Sequence, residues 1–298
     1  MTENAFKGTN GQCALNPYLG REAEDLLDYA GGGRTVVVIG AGAAGLTAAE
    51  TLARRGFAVK VFEKESCAGG QINTAGSCIK KDKLKWCIED LLTSAKKLGV
   101  EIMYGTAVTP EMIEAIDPYA VFVSTGGLPI RPASLKGSDR SNVCTAPEII
   151  LGQKKIEGKK VVVVGSGMTG LETTEILNEC GNQVTVVEMA PEIAPGTWFQ
   201  LIDDEMSRIQ GHSTVFLPGK RLMAIRENDV LLEDVKTCVM ETVKTDEVVL
   251  SLGVRPNNNL YKQLSANRPR VYAVGDAKAS GQIANAVHDA FNAAIALK

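Results

Sequence analysis

The sequence predicts an α/β protein in which two units of one strand–turn–helix–strand plan form two domains, one inserted in the other. Three observations carry this expectation. Residues 36–63 (VVVIGAGAAGLTAAETLARRGFAVKVFE) and 161–188 (VVVVGSGMTGLETTEILNECGNQVTVVE) align without a gap at an offset of 125 residues, with 13 of 28 positions identical. Each copy places G-x-G-x-x-G between a β-branched run and a helical stretch. Each ends in a glutamate 23 residues past its first glycine. A period of 125 residues is too long for a solenoid repeat. It fits separate domains, as does a chain of 298 residues.

The elements follow in order. Val36–Ile39 and Val161–Val164 are apolar on both faces, as buried parallel strands are. Gly40 and Gly165 permit the tight turn, Gly42 and Gly167 let backbone approach a pyrophosphate, and Gly45 and Gly170 let helix pack on strand. Ala44 in the first copy, and Met168 and Thr169 in the second, open helices whose free N–H groups and positive dipole end suit phosphate. Helical sequence runs to Arg55 and Cys180, with Gly56 and Gly181 as C-terminal caps. Second strands end at Glu63 and Glu188, where an acid accepts hydrogen bonds from ribose hydroxyls. A lone G-x-G-x-x-G is a weak signal. Two copies, each with strands, helix and terminal acid, predict two Rossmann-like dinucleotide-binding domains.

Further motifs surround the two copies. Lys64, Gly70 and Gln71 belong to E-K-x(4)-G-G-Q, and Thr125 and Gly126 to S-T-G-G. Gly253 lies in SLGVRP. Gly275 and Asp276 lie in VYAVGDA, and Ile283 and Ala284 open the apolar helix that follows, over about Gln282–Leu297. This order resembles the two-dinucleotide-domain flavoprotein reductases over nearly the whole chain. The resemblance implies that the first unit holds the ADP half of FAD and that Asp276 binds its ribitol chain. It implies that backbone at Ile283 and Ala284 faces the flavin pyrimidine edge, where a helix N-terminus stabilises negative charge. It also implies NAD(P)H on the second unit and direct hydride transfer, so no catalytic acid or base is named. Glu188 is followed by Met189-Ala190-Pro191, with no arginine for a 2′-phosphate. NADH is therefore expected over NADPH, unless a loop elsewhere supplies a basic residue.

The N-terminal stretch Cys13-Ala14-Leu15-Asn16-Pro17-Tyr18-Leu19-Gly20-Arg21-Glu22 resembles the C-x-x-N-P-x-x-G-R-E stretch of a narrower group. That group is the NADH:flavin oxidoreductase, 2,4-dienoyl-CoA reductase and trimethylamine dehydrogenase family. The end, GDAKASGQIANAVHDAFNAA, is also similar to its pattern. The resemblance implies a parent about twice this length, with an N-terminal FMN-binding barrel and a 4Fe–4S cluster ahead of this module. In that parent Cys13 is the last of four cluster ligands. On that resemblance Thr2–Gln12 are expected to span the gap after the third ligand, and the chain is expected to be a piece of the parent with Met1 added. One cysteine cannot hold a four-thiolate cluster.

Composition limits the remaining choices. Thirty-two basic and 35 acidic residues give a net charge of −3, which argues against nucleic-acid binding. No apolar run approaches the length of a membrane span, and the start lacks the order of a signal peptide, so a cytoplasmic location is expected. The seven cysteines form no C-x-x-C pair, and Cys67 and Cys78 match no disulfide-relay motif. His288 is expected to pack or lie at the surface. Lys80, Lys81, Lys83 and Lys85 read as a solvated face. Residues 1–33 read as a linker with Gly31-Gly32-Gly33 as its flexible end. Residues 34–147 and 253–298 are then the FAD domain, and 148–252 the NAD(P)H domain. Two other readings stand beside an NADH-oxidising flavin module: a non-redox ADP-binding structural module, and a stand-alone NADH oxidase.

Overall fold

The computed structural model describes residues 13–24 and 26–298. Residues 1–12 of the expected linker, and with them the Thr2–Gln12 spacing, lie outside the described residues. The first copy is β1 (Thr35–Ile39), α1 (Ala43–Arg54) and β2 (Ala58–Phe62). Next come α2 (Gln71–Ala75), a 3-10 turn at Asp82–Lys85, α3 (Trp86–Lys97), β3 (Glu101–Met103), α4 (Pro110–Ile116) and β4 (Ala120–Val123). After β5 (Gly127–Pro129), β6 (Val143–Thr145) and α5 (Ala146–Ile150), the second copy is β7 (Lys160–Val164), α6 (Met168–Glu179) and β8 (Gln183–Val187). Then follow α7 (Phe199–Ile209), β9 (Val215–Leu217), β10 (Lys220–Ile225), β11 (Asp229–Asp234), β12 (Met240–Lys244) and β13 (Glu247–Leu250). The chain ends with β14 (Val254–Pro256), α8 (Asn259–Ser265), β15 (Val271–Ala273), a 3-10 turn at Gly275–Ala277 and α9 (Ile283–Ala296).

The chain divides into two compact units, one holding residues through 73, 83–128 and 255–298, the other 74–82 and 129–254. Beyond residue 33 these ranges differ from the sequence-level ranges in three places: 74–82, 129–147 and 253–254 group with the second unit. Residues 129–147 group with the second unit because β6 joins its sheet, with Val143 opposite Val248 of β13. Residues 74–82 also group there, because Cys78 and Lys81 reach Glu172 on α6.

In the first unit, five parallel strands run in the order β15-β4-β1-β2-β3. Alternation along β1 sends its side chains to two layers. Val36 and Val38 join Leu46, Ala48 and Leu52 of α1 and Val287, Ala290 and Ala294 of α9. Val37 and Ile39 join Ile113 of α4 and Leu264 of α8. Leu46 and Leu52 are fully buried, each contributing about 2 kcal/mol.

The second unit repeats the plan as β6-β13-β7-β8-β9, again all parallel. Val161 and Val163 pack with Ile149 of α5 and Leu177 of α6. Its other face is covered by the antiparallel sheet β10-β11-β12, through Ile225, Val230 and Leu232, where the first unit uses helices.

The expected flexible glycine end is instead a built turn. Gly31 N–H donates to Arg55 O and Gly33 N–H to Gly56 O, each at 2.9 Å. A Cβ on Gly31 would lie 2.2 Å from the Gly56 carbonyl carbon, so only glycine allows this approach. Arg55 is fully buried, pairs with Asp28 and donates to Ala294 O at 2.5 Å. Upstream, Leu15 packs on the core, Tyr18 meets Phe291 edge-on at 4.7 Å, and the His288 ring N–H donates to Cys13 O at 2.9 Å. Residues 13–24 thus dock on the unit they precede.

Candidate functional site

The residues expected in the first nucleotide site fall in the first unit, and Gly165, Gly167, Met168, Thr169, Gly170 and Glu188 in the second; Gly253, inside the expected FAD range, also falls in the second. Within each unit a glycine turn joins the central strand to its helix. Gly40 and Gly165 have φ of 105° and 101°, which favours glycine. A Cβ there would lie 2.5 Å from Ser124 O and 2.2 Å from Ser251 O. A Cβ on Gly45 or Gly170 would lie 1.9 or 2.0 Å from the carbonyl oxygen of Gly40 or Gly165. First and third glycines are thus demanded by the protein's own packing.

The middle glycines are different. Gly42 has φ −79° and Gly167 has φ −57°, values open to any residue. A Cβ on Gly42 would meet nothing nearer than Gly69 O at 4.0 Å, and one on Gly167 nothing within 4 Å. Neither conformation nor packing requires glycine there, so the open space fits a group from outside the chain. Both residues are N-caps that offer no side-chain acceptor. Three helices are capped by side chains, Thr109 on α4, Thr145 with Glu148 on α5, and Gln282 with Asn285 on α9, while α3, α7 and α8 are not. Two glycine turns left uncapped suit phosphate at the N–H groups of Ala43, Ala44, Met168 and Thr169.

The terminal acids hold these turns. Glu63 Oε2 accepts from Ala41 N at 2.7 Å, and Oε1 from Glu65 N at 3.0 Å. Glu188 Oε2 accepts from Ser166 N at 2.9 Å and Ser166 Oγ at 2.8 Å, and Oε1 from Ala190 N at 2.8 Å. Burial works to raise the Glu188 pKa, but the N–H donors of Ala190 and Ser166 outweigh it and hold the carboxyl below the usual range. Both acids therefore position the turn before any ribose is considered, a duty that spacing alone does not reveal.

Other features complete the first unit. The Gly69–Gly70 segment folds onto the turn, with Gly69 N–H donating to Ala41 O at 2.9 Å. Gln71 Nε2 donates to Asp276 Oδ2 at 2.9 Å, and Gly281 N–H to Asp276 Oδ1 at 3.1 Å. Asp289 Oδ2 accepts from Gly275 N at 3.0 Å, and a Cβ on Gly275 would lie 2.7 Å from Ala44 Cβ. The Gly-Asp turn therefore sits against the start of α1. On α9 the Gln282 side chain takes the Asn285 N–H and leaves those of Ile283 and Ala284 uncapped. Gly126 has φ 70°, and Thr125 Oγ1 donates to Asn257 O at 2.6 Å. Lys64 is exposed and paired with Glu65 at 3.4 Å.

In the second unit, Gly253 has φ 79° at the end of the strand beside the turn. Buried Ser166 also accepts from Ala194 N through its Oγ at 2.9 Å. An ionic cluster lies beside α6. Lys81 pairs with Glu172, and with Glu205 at 3.1 Å; Arg208 pairs with Glu175 and Glu205, each at 2.7 Å. Lys81 is thus a clamped ion, which corrects its reading as part of a solvated lysine face. All seven cysteines are free. Burial, then the Glu172 carboxylate, pushes the Cys78 thiol up to about 12.

Ser124 and Ser251 are site residues that sequence reasoning missed. Each follows the strand next to the turn and donates its N–H to the central strand, to Ile39 O at 2.9 Å and Val164 O at 2.8 Å. The signal was available: Ser-Thr-Gly and Ser-Leu-Gly, residues 124–126 and 251–253, are a second repeat at almost the same offset.

Two parallel sheets, each with an open glycine turn and an acid behind it, define a module of two Rossmann-like dinucleotide-binding folds. The chain belongs to the pyridine nucleotide-disulphide oxidoreductase family, an FAD/NAD(P)-binding oxidoreductase family whose model matches residues 34–291. It is 33% identical over 298 residues to the NADH oxidase of Thermoanaerobacter brockii, covering 97% of this chain and 45% of that protein. It is 33% identical over 283 residues to the bilirubin reductase of Mediterraneibacter gnavus, covering 95% of this chain and 44% of that one. Among solved structures it matches 2-naphthoyl-CoA reductase in complex with 2-naphthoyl-CoA, at TM-score 0.90 and 25% identity, over 99% of this chain and 45% of that chain. The chain spans less than half the length of each.

Proposed function

We propose that this chain is the NADH-oxidising flavin module of a longer reductase. The first unit holds FAD, through Gly40, Gly42, Ala44, Gly45, Glu63, Lys64, Gly70, Gln71, Thr125, Gly126, Gly275, Asp276, Ile283 and Ala284. The second holds NADH, through Gly165, Gly167, Met168, Thr169, Gly170, Glu188 and Gly253. The observation that carries this reading is the pair of middle glycines whose missing side chains the protein itself does not require. When bound, FAD supplies an acceptor for the two electrons and the hydrogen that leave NADH as hydride.

The chain's own residues bind and orient. The uncapped turns neutralise pyrophosphate with backbone N–H groups, at no cost in side-chain ordering. Glu63 and Glu188 hold the turns, and both oxygens of Glu63 and Oε1 of Glu188 retain a lone pair for a ribose hydroxyl, while Glu188 Oε2 is taken by Ser166. Asp276 is held by Gln71 and Gly281, which fixes its carboxylate toward a polyol chain. The N–H groups of Ile283 and Ala284 favour electron-rich flavin.

The parent's 4Fe–4S cluster and FMN barrel belong to the same reading, with Cys13 as one ligand of four. Among the described residues no group of three or more His, Cys, Asp or Glu could hold a metal ion. Spectroscopy of the purified chain tests the proposal. Flavin absorption bleached by NADH without oxygen is the expected result. A colourless protein that releases ADP on denaturation overturns it in favour of a structural nucleotide module.

A further inference from the structure

We propose that Lys220 is the basic residue placed to meet a 2′-phosphate at the second unit, and that a two-carboxylate cage withholds it, so that the unit selects NADH over NADPH. The inference rests on the reading of that unit as the nicotinamide nucleotide site.

The placement comes from the backbone. Lys220 N–H donates to Glu188 O at 2.8 Å, and Gly219 N–H to Ala190 O at 2.7 Å. The start of β10 therefore runs along the strand end that carries the ribose acid. A lysine ammonium on its four-carbon stem is a common point-charge partner of phosphate, and from here it has the reach. Its direction is otherwise. Nζ lies 3.1 Å from Asp234 Oδ2 on the neighbouring β11 and 2.9 Å from Glu241 Oε1 on β12 beyond it, and the side chain is only 18% exposed. Asp234 is itself fixed at the β11–β12 turn, where Oδ1 accepts from the N–H groups of Lys236 and Thr237 and from Thr237 Oγ1. The next basic residue, Arg221, is paired with Glu233 at 3.2 Å.

The charges decide the outcome. Lys220, Asp234 and Glu241 sum to one negative charge, and Glu188 adds another beside it. A ribose diol offers Glu188 hydroxyl donors, whereas a 2′-phosphate brings about two more negative charges to a region already negative. Pairing of the Lys220 ammonium with the Glu241 and Asp234 carboxylates raises its pKa, so the caged group stays charged.

Calorimetric titration with NAD+ and NADP+ tests this without a flavin readout. The unaltered chain is expected to bind NAD+ at least tenfold more tightly than NADP+. Asp234→Asn with Glu241→Gln should leave NAD+ affinity within about twofold and raise NADP+ affinity about tenfold. Adding Lys220→Met should remove that gain. Glu241→Gln alone, which leaves the Asp234 turn intact, should give part of it and guards against misfolding of the double variant. An unchanged preference in the cage variants, with NAD+ still bound, overturns the cage alone. A gain that survives Lys220→Met also overturns it. A chain that binds neither nucleotide overturns the reading of the second unit, and this inference with it.

Discussion

The two repeated units share a turn and differ in what their helices bury. The outer face of α1 is mostly small and apolar, with Ala44, Ala48, Ala49 and Leu52, and it packs on Val287, Ala290 and Ala294 of α9. At the positions of Ala48, Ala49 and Leu52, α6 buries Thr173, Thr174 and Leu177, and beside them it buries Glu172, Glu175 and Asn178. Its neighbours are Glu205 and Arg208 of α7 and Lys81 of residues 74–82. The turn is set by the strand it must clear, so its first-glycine φ (105° and 101°) and its third-glycine approaches (1.9 and 2.0 Å) nearly repeat. The outer face is set by whichever element happens to cover it, so it diverges.

Disrupting the ionic face should separate the units most strongly. Arg208→Met leaves Glu175 without its guanidinium and the almost fully buried Glu205 with Lys81 alone. Stranded buried carboxylates cost about 3–5 kcal/mol. The loss should appear as a lower urea midpoint and as hydrogen exchange accelerated in the second unit only. Equal acceleration in both units would mean that the two faces are not energetically separate.

Gly45→Ala and Gly170→Ala test the shared turn. Each new Cβ meets a backbone carbonyl at about 2 Å, which a rotamer change cannot relieve. A loss of about 3 kcal/mol is expected for both. A large effect in one copy and none in the other would break the equivalence of the turns.

Glu188→Gln should cost about 1–2 kcal/mol at neutral pH, because an amide matches three converging donors poorly. The folded-state pKa of Glu188 is depressed, so its contribution is present above the ordinary glutamate pKa and is lost as pH falls through the folded value. The pH–stability curve of the variant should therefore be flatter below about pH 4.5 than that of the unaltered chain. Parallel curves would show that the hydrogen bonds do not favour the ionised form.

The smallest effect concerns Cys78. Buried beside Glu172, with its pKa pushed up to about 12, it should stay unmodified by a thiol reagent at pH 8 while exposed Cys67, Cys180 and Cys238 react. Early modification of Cys78 would mean that residues 74–82 leave α6 readily.

Local chemistry was legible in the sequence. The two strand–turn–helix units, their C-terminal glycine caps and the terminal acids all follow from contiguous residues and appear at their expected places. What depends on distant partners was not. The hydrogen bonds that dock Gly31 and Gly33 need the backbone at Arg55 and Gly56. Lys81 reads as a surface charge until Glu172, 91 residues later, lies beside it. The equivalence of Ser124 and Ser251 becomes visible only when β4 and β13 take the same place beside their central strands.

The central claim is that the middle glycines serve nucleotides and not the fold, one flavin and one nicotinamide. Nucleotide binding by Gly42→Ala and Gly167→Ala tests it most directly, in proteins whose urea stabilities lie within about 1 kcal/mol of the unaltered chain. Gly42→Ala should lose bound flavin and still bind NAD+. Gly167→Ala should keep its flavin and lose NAD+ affinity by more than about tenfold, or about 1.4 kcal/mol. Unchanged flavin content and NAD+ affinity in both variants would contradict the claim.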